Sequence, residues 1–90
     1  MLEPVYTKPF RKEPKLMGKL GKDLDKLGEV MKMLINEQPL LPKNEDHPLH
    51  GNHQGKRECH VEGDWLLVYR IDKKNREVVF YHTGSRSDLF

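Results

Sequence analysis

Imidazole side chains are concentrated in the second half of this chain, where they lie among Asp, Arg and Lys: His47, His50, His53, His60 and His82. Histidine can donate or accept a proton near neutral pH, because its reference pKa is about 6.5. Imidazole, carboxylate and guanidinium together suit RNA cleavage without a metal. A base takes the 2′-hydroxyl proton, a cation neutralises the phosphate, and an acid protonates the leaving 5′-oxygen. On chemistry alone, surface histidines without a catalytic role are the simpler interpretation.

His47, His50 and His53 repeat every three residues, a spacing that could place metal ligands together on a helix. Pro48 and Gly51 argue against a helix, and zinc sites normally add Cys or carboxylate ligands at defined spacings. We therefore expect His50 and His53 to be exposed loop residues, with no metal site and no cofactor. The sequence also lacks a Gly-rich phosphate loop and a CxxC motif.

The chain has 90 residues, of which 36% are apolar and 33% charged, with a net charge of +2. This length fits one domain, residues 1–90, with a small core. Lys and Arg exceed Asp and Glu by eight to six in residues 1–42 and equal them at eight each in residues 43–90. Overall charge is thus a weak argument for nucleic-acid binding, and any RNA function must depend on local arrangement.

Cys59 is the only cysteine, so no intrachain disulfide can form and a reducing compartment is expected. We expect its side chain to pack as a small hydrophobe in a strand rather than to act as a catalytic thiol. Glu3 and Pro4 do not fit a signal peptide, and no apolar run reaches the roughly 20 residues of a membrane span. We expect a soluble, cytoplasmic protein.

The first half predicts a strand and two helical segments. Residues 2–7 can form a short strand, and residues 9–20 are basic and partly helical, with a restart or kink at Pro14. The helical spacing of apolar residues predicts a helix over residues 22–36 that ends before Pro39. The expected buried positions of the two segments are Phe10, Leu16, Met17, Leu20, Leu24, Leu27, Met31, Leu34 and Ile35.

The second half predicts an antiparallel meander after a polar connection at residues 43–51. Strands are expected at residues 57–62, 65–71 and 77–82. In the first of them Cys59 and Val61 alternate with polar Glu58 and His60. A strand, two helices and three consecutive strands predict an α+β fold with the helices packed on one face of the sheet.

Several separated motifs agree in order and spacing with a known toxin family. They are Asp46-His47-Pro48-Leu49, Gly51, Arg57 to Glu62, Asp64 to Tyr69, Thr83-Gly84-Ser85 and Ser87 to Phe90. Over roughly residues 20–90 the chain resembles YafQ-type toxins of the RelE/ParE superfamily. The resemblance implies a RelE-like fold, in which two helices pack on an antiparallel sheet.

The resemblance also implies a type II toxin that enters the ribosomal A site and cuts messenger RNA there. A cognate antitoxin wraps such a toxin, so we expect a free monomer and a hetero-oligomer with the antitoxin. By position, His47 and His60 would transfer protons and contact phosphate, Asp64 would orient one of them, and Phe90 would stack on or position a base. The candidate RNA contacts are Arg57, as a phosphate cation beside His60, with Trp65 and His82.

Arg86 stands where the family's C-terminal motif has His, which brings full catalytic competence into question. A guanidinium can hold phosphate but is a poor proton donor, so proton transfer would fall to the histidines. A weakened or inactive member that binds antitoxin or ribosome without cutting is the alternative. Asp64 could instead be a turn former, and Trp65 a core residue.

Cations are also concentrated beside the first helix, at Lys8, Arg11, Lys12 and Lys15. We expect this basic segment to dock the antitoxin or ribosomal RNA through contacts that weaken with salt.

Overall fold

A five-stranded sheet in the order β1-β5-β4-β3-β2 organises the computed structural model, which describes residues 1–90. The elements in chain order are β1 (Glu3–Tyr6), α1 (Glu13–Lys19), α2 (Leu24–Ile35), β2 (His47–Pro48), β3 (Arg57–Glu62), β4 (Trp65–Asp72), β5 (Glu77–Ser85) and α3 (Arg86–Leu89). The predicted order of one strand, two helices and a three-stranded meander is confirmed. None of the helices is long and apolar enough to cross a membrane.

The sheet is mixed rather than wholly antiparallel. Strands β3, β4 and β5 pair antiparallel as predicted, whereas β1 pairs parallel with β5, Val5 opposite Val79. The predicted polar connection contains the extra edge strand β2, in which His47 lies opposite Glu58. A strand of two residues has no periodic pattern, so β2 could not be predicted from residue spacing.

Helix α1 restarts at Pro14, as predicted, because a proline in the first turn lacks only an amide that has no helical partner there. Phe10 and Met17 are buried as expected. Leu16 and Leu20, however, are 54% and 64% exposed, so their predicted burial is wrong. The helix has seven residues and ends at Lys19, and this short element turns only Met17 fully into the core.

Helix α2 begins after Asp23, whose side chain accepts a hydrogen bond from the Asp25 amide at 3.0 Å. Leu27 and Leu34 are buried as predicted, and Val30 completes the face that contacts the sheet. Leu24 is 41% exposed, contrary to the prediction. Its side chain packs near Gly18 at the junction with α1, beyond the core.

The main core lies between the helices and one face of the sheet, which we call the helix face. Cys59, Leu67 and Tyr69 belong to this core, and the thiol of Cys59 is fully buried as expected. Burial raises the pKa of that thiol to about 12.

The opposite side of the sheet, here called the second face, carries the residues that alternate with the core positions. Leu66 and Val68 belong to it and are 0% and 2% exposed, although they lie outside the main core cluster. Helix α3 begins after Ser85, whose hydroxyl accepts from the Asp88 amide, and Leu89 packs against Gly84 of β5. The C-terminal residues thus fold back onto this face and bring Arg86 to the strands.

Candidate functional site

A fully buried carboxylate lies at the centre of the candidate site. The side chain of Glu58 on β3 is 0% exposed, although its place in the alternating pattern made it an outward polar position. One carboxylate oxygen, Oε1, accepts a hydrogen bond from the Arg86 guanidinium. The other, Oε2, has no hydrogen-bond partner and lies 3.7 Å from Nε2 of His47. A buried carboxylate is tolerated when it is paired, and Arg86 is the partner of Glu58.

His47 is placed over Glu58 by the short strand β2, in direct register with it. Its Nδ1 lies 2.7 Å from the carbonyl oxygen of Glu45. A carbonyl only accepts, so Nδ1 carries the hydrogen, and in the neutral ring Nε2 carries the lone pair. The side chain is 45% exposed, which leaves Nε2 able to exchange a proton with a bound molecule.

His60 lies two residues beyond Glu58 on β3 and therefore on the same face of the sheet. Its Nδ1 is 2.6 Å from the carbonyl oxygen of Gly63, and its Nε2 is 3.9 Å from the carboxylate of Glu45. The two histidines thus have the same arrangement, with Nδ1 held by a backbone carbonyl and Nε2 without a hydrogen bond but within 4 Å of a carboxylate.

Residues 44–46 hold both histidines in place. The buried Asn44 side chain donates to the carbonyl oxygen of His60 at 2.7 Å, and Glu45 contacts His47 through its backbone and His60 through its side chain. Glu45 has a φ of 45°, a left-handed conformation that disfavours a residue with a side chain. Such a position generally costs about 1 to 3 kcal/mol, so the surrounding contacts must maintain it.

Arg57 does not lie beside His60, contrary to the prediction. It lies opposite Tyr69, a core residue, and therefore points to the helix face. Its guanidinium donates twice to Asp46, at 3.2 Å each, and the Tyr69 hydroxyl donates to the same carboxylate at 2.6 Å. The hydrogen bond to Asp46 raises the pKa of Arg57. The pKa of Tyr69 is also raised, mainly by burial and to a smaller extent by its hydrogen bond to Asp46. This network attaches Asp46, the residue before His47, to the helix face of the sheet.

Trp65 is 1% exposed, and its indole N–H donates to the Thr83 hydroxyl at 2.8 Å. The predicted RNA contact of Trp65 is incompatible with this burial, and the core alternative is the correct one. Asp64 lies in the exposed turn between β3 and β4. Neither histidine ring bonds to it, because His47 and His60 are held by the carbonyls of Glu45 and Gly63.

His82 lies on β5, two strands away from Glu58, and its Nδ1 is 3.0 Å from the Glu13 carboxylate of α1. Glu13 also accepts from the Thr83 amide at 3.2 Å, along the part of β5 that β1 leaves unpaired. The structure therefore keeps His82 apart from the group formed by His47, Glu58 and Arg86.

The C-terminal Phe90 returns to the site. Its ring lies 5.0 Å from that of His53, edge to face, and the Arg86 guanidinium lies 6.0 Å from its centroid. Phe90 is 50% exposed and can still accept a stacking partner. His50 is exposed as expected, whereas His53 is partly covered. Nowhere does the fold bring three His, Cys, Asp or Glu side chains together as a metal-ligating group.

Residues 2–90 match the model of a family described as the bacterial toxin of type II toxin-antitoxin system, YafQ. The chain belongs to the YafQ toxin family. The candidate residues His47, His60 and Arg86 lie within the matched range, on the second face.

YafQ relatives support the assignment over nearly the whole chain. The Escherichia coli K12 protein named mRNA interferase toxin YafQ is 41% identical over 86 residues, covering 94% of this chain and 91% of its own. A metal-bound toxin from Helicobacter pylori has a TM-score of 0.93 at 44% identity, with both chains fully covered. YafQ in the E. coli DinJ-YafQ complex has a TM-score of 0.91 at 37% identity, covering 100% of this chain and 99% of its own. The predicted RelE-like fold class is thus confirmed.

Sequence reasoning missed Glu58 and Glu45. In the sequence Glu58 looks like an ordinary outward residue of an alternating strand, because its burial involves distant residues such as His47 and Arg86. Glu45 sits in a loop and shows no periodic signal. The one sequence hint was that Glu58 and His60 occupy alternate positions and so share a face of β3.

Proposed function

We propose that this YafQ-family chain is an endoribonuclease toxin that cuts messenger RNA in the ribosomal A site by acid-base chemistry of its own side chains. The observation that supports it most directly is that one face of the sheet carries a guanidinium and two imidazole Nε2 atoms that make no hydrogen bond. His47 and His60 both present Nε2, and Arg86 is held there by Glu58.

In the proposed reaction the 2′-oxygen attacks the neighbouring phosphorus, and the bond from phosphorus to the 5′-oxygen breaks. A neutral imidazole, of His47 or His60, takes the 2′-hydroxyl proton, and the other imidazole, protonated, gives a proton to the leaving 5′-oxygen. The products are a 2′,3′-cyclic phosphate and a free 5′-hydroxyl. Arg86 neutralises charge on the phosphate, and Phe90 stacks on a base.

Glu58 acts in this scheme as a positioning residue. It is fully buried, so it does not reach the RNA while Arg86 covers it. Its charge fixes the guanidinium over the strands and lies next to Nε2 of His47. Because Arg86 replaces a histidine, we propose that cutting is weaker than in relatives with histidine at this position.

We also propose that a cognate antitoxin restrains the free monomeric toxin in the cytoplasm by forming a hetero-oligomer with it. The basic segment beside α1 supports a docking role, since Arg11, Lys12 and Lys15 line an open depression together with the exposed Leu16. Apolar surface beside cations suits a partner that offers both apolar and acidic side chains. Charge reversal of Arg11 and Lys12 should therefore weaken binding of antitoxin or ribosome.

The test is to incubate translating ribosomes with purified protein that either has or has not been stripped of metal beforehand by EDTA and dialysis, and to map the new ends of the message. New ends in the A-site codon in both conditions are expected. If a high protein concentration produces no such ends, yet the protein still binds ribosomes or antitoxin, the chain is a binder rather than a nuclease. Growth arrest on induction, rescued by the antitoxin, gives a parallel result in cells.

A further inference from the structure

A second group of cations lies on the same sheet face as the candidate catalytic residues. The Lys56 ammonium lies 4.4 Å from the centre of the Tyr81 ring, and Arg70 Nε donates to the Tyr81 hydroxyl at 3.0 Å. The three residues come from separate parts of the chain: Lys56 lies just before β3, Arg70 on β4 and Tyr81 on β5. We call Lys56, Arg70 and Tyr81 the distal cluster.

The strand register places the distal cluster in line with the site. Arg57 pairs with Tyr69, so Lys56 and Arg70 are neighbours across β3 and β4. A bulge between β4 and β5 leaves Tyr81 without a partner on β4. The Tyr81 side chain contacts Lys56 and Arg70. Lys56 is two residues from Glu58 and shares its face, about 7 Å away along β3 at a rise of about 3.3 Å per residue.

The two cations of the distal cluster are poorly neutralised. Lys56 has no carboxylate within ion-pair distance, and the nearest carboxylate to Arg70 is that of Asp72, at 3.8 Å. By contrast, Arg57 and Arg76 each make two hydrogen bonds to a carboxylate. The Tyr81 ring orients Lys56 by a cation–π contact without removing its charge. The hydrogen bond to the Tyr81 hydroxyl raises the pKa of Arg70, whose guanidinium is charged at any working pH.

We propose that the distal cluster is a subsite for a backbone phosphate of the RNA strand, next to the phosphate that is cut. Lys56 and Arg70 bind this phosphate, and Tyr81 fixes both cations. The inference rests on the proposed function, because it assumes that the scissile phosphate lies at Arg86. A polynucleotide fits better than an acidic protein, since it offers successive phosphates along one strand, and Lys56 lies on the same face of β3 as Glu58, the residue that holds Arg86.

Binding of an uncleavable RNA tests the subsite without depending on cutting. The probe is a single-stranded oligonucleotide of 2′-O-methyl nucleotides, whose blocked 2′-oxygens cannot attack phosphorus. Lys56→Gln should weaken its binding several-fold at low salt. The slope of log affinity against log salt should fall by about 0.7, the value for one phosphate contact to a single strand. Lys32→Gln is the matched control, because Lys32 is exposed on α2, on the other side of the sheet.

One further variant tests the role of Tyr81, and one further assay tests the place of the cluster in the reaction. Tyr81→Leu removes the ring under Lys56 and should lower affinity in the same direction. In cleavage assays Lys56→Gln should raise KM and leave kcat nearly unchanged, since the cluster binds RNA away from the reacting bond. Thermal melting checks that each variant is folded.

The possible outcomes separate this proposal from the proposed function. If Lys56→Gln matches Lys32→Gln in affinity and salt slope, or weakens only antitoxin binding, the subsite is overturned. If the wild-type protein binds the blocked RNA through Lys56 but never cuts natural message, the subsite stands and the nuclease function fails. If the protein cuts natural message and its KM does not change with Lys56→Gln, the nuclease function stands and the subsite fails.

Discussion

Nε2 of His47 lies 3.7 Å from the one oxygen of Glu58 that no hydrogen bond reaches, and Arg86 holds the other oxygen. A single buried carboxylate therefore connects the imidazole and the guanidinium that the sequence could only propose separately. Because Glu58 is not exposed, its influence on a substrate must pass through these two partners.

Replacing Glu58 with Gln keeps the shape but removes the charge that fixes Arg86. We expect the single-turnover cleavage rate to fall about 10- to 100-fold, by analogy with the loss of a hydrogen-bond partner behind a metal ligand. Affinity for uncleavable RNA should hold or rise, since Arg86 becomes free to bind phosphate. The control is Glu62→Gln, at an exposed position of the same strand, which should cut at the wild-type rate. A wild-type rate for Glu58→Gln would remove Glu58 from the mechanism.

Removing either candidate proton-transfer group should nearly abolish cutting. His47→Ala and His60→Ala should each lower the rate by about 10² to 10⁴, the range typical of general acid or base loss. The melting temperature should change little, because both side chains keep contact with solvent. His50→Ala, in the same segment and exposed, is the control. If either variant cuts as well as wild type, the histidine that it lacks is not a proton-transfer group.

Arg86→His restores the residue that the family's motif carries. We expect a higher single-turnover rate at saturating ribosomes, because an imidazole can donate a proton and a guanidinium cannot readily do so. Ribosome affinity should stay level or fall with the loss of a cation. An unchanged or lower rate would mean that Arg86 does not slow cleavage and that another group supplies the proton.

Leu27 should dominate the packing of α2 on the sheet. Leu27→Ala should lower the free energy of unfolding by about 2 to 5 kcal/mol, through lost transfer energy and a residual cavity. Leu20→Ala makes the same chemical change at a side chain that is 64% exposed, and its effect should be within about 0.5 kcal/mol. Urea unfolding measures both. Equal effects would contradict the core described above.

Cys59 should be unreactive in the folded protein. Burial raises the pKa of its thiol to about 12, so at pH 8 the folded chain holds almost no thiolate, the form that thiol reagents attack. Labelling should therefore require denaturant. Above the ordinary pKa near 9 the unfolded thiol loses its proton first, so this group lowers stability as pH rises toward 12. Rapid labelling of native protein would show that β3 opens readily.

Local pattern was enough for much of this protein. The spacing of Leu27 and Leu34 and the alternation in β3 to β5 predicted the helices, the meander and the α+β class, since periodicity reflects which face is buried. Motifs in register pointed to the family and to His47, His60, Arg86 and Phe90. Short-range pattern failed at Leu16, Leu20 and Leu24, where the ends and angle of a short helix decide what is covered.

Only the tertiary structure decided how the second face is built. Whether Glu58 is a solvated strand residue or a buried charge depends on α3, which follows it by 28 residues and returns over it. Arg57 and Trp65 look equally suited to RNA in the sequence, yet strand register sends both to the helix face. The environment of a charge is set by long-range contacts, and sequence spacing does not record them.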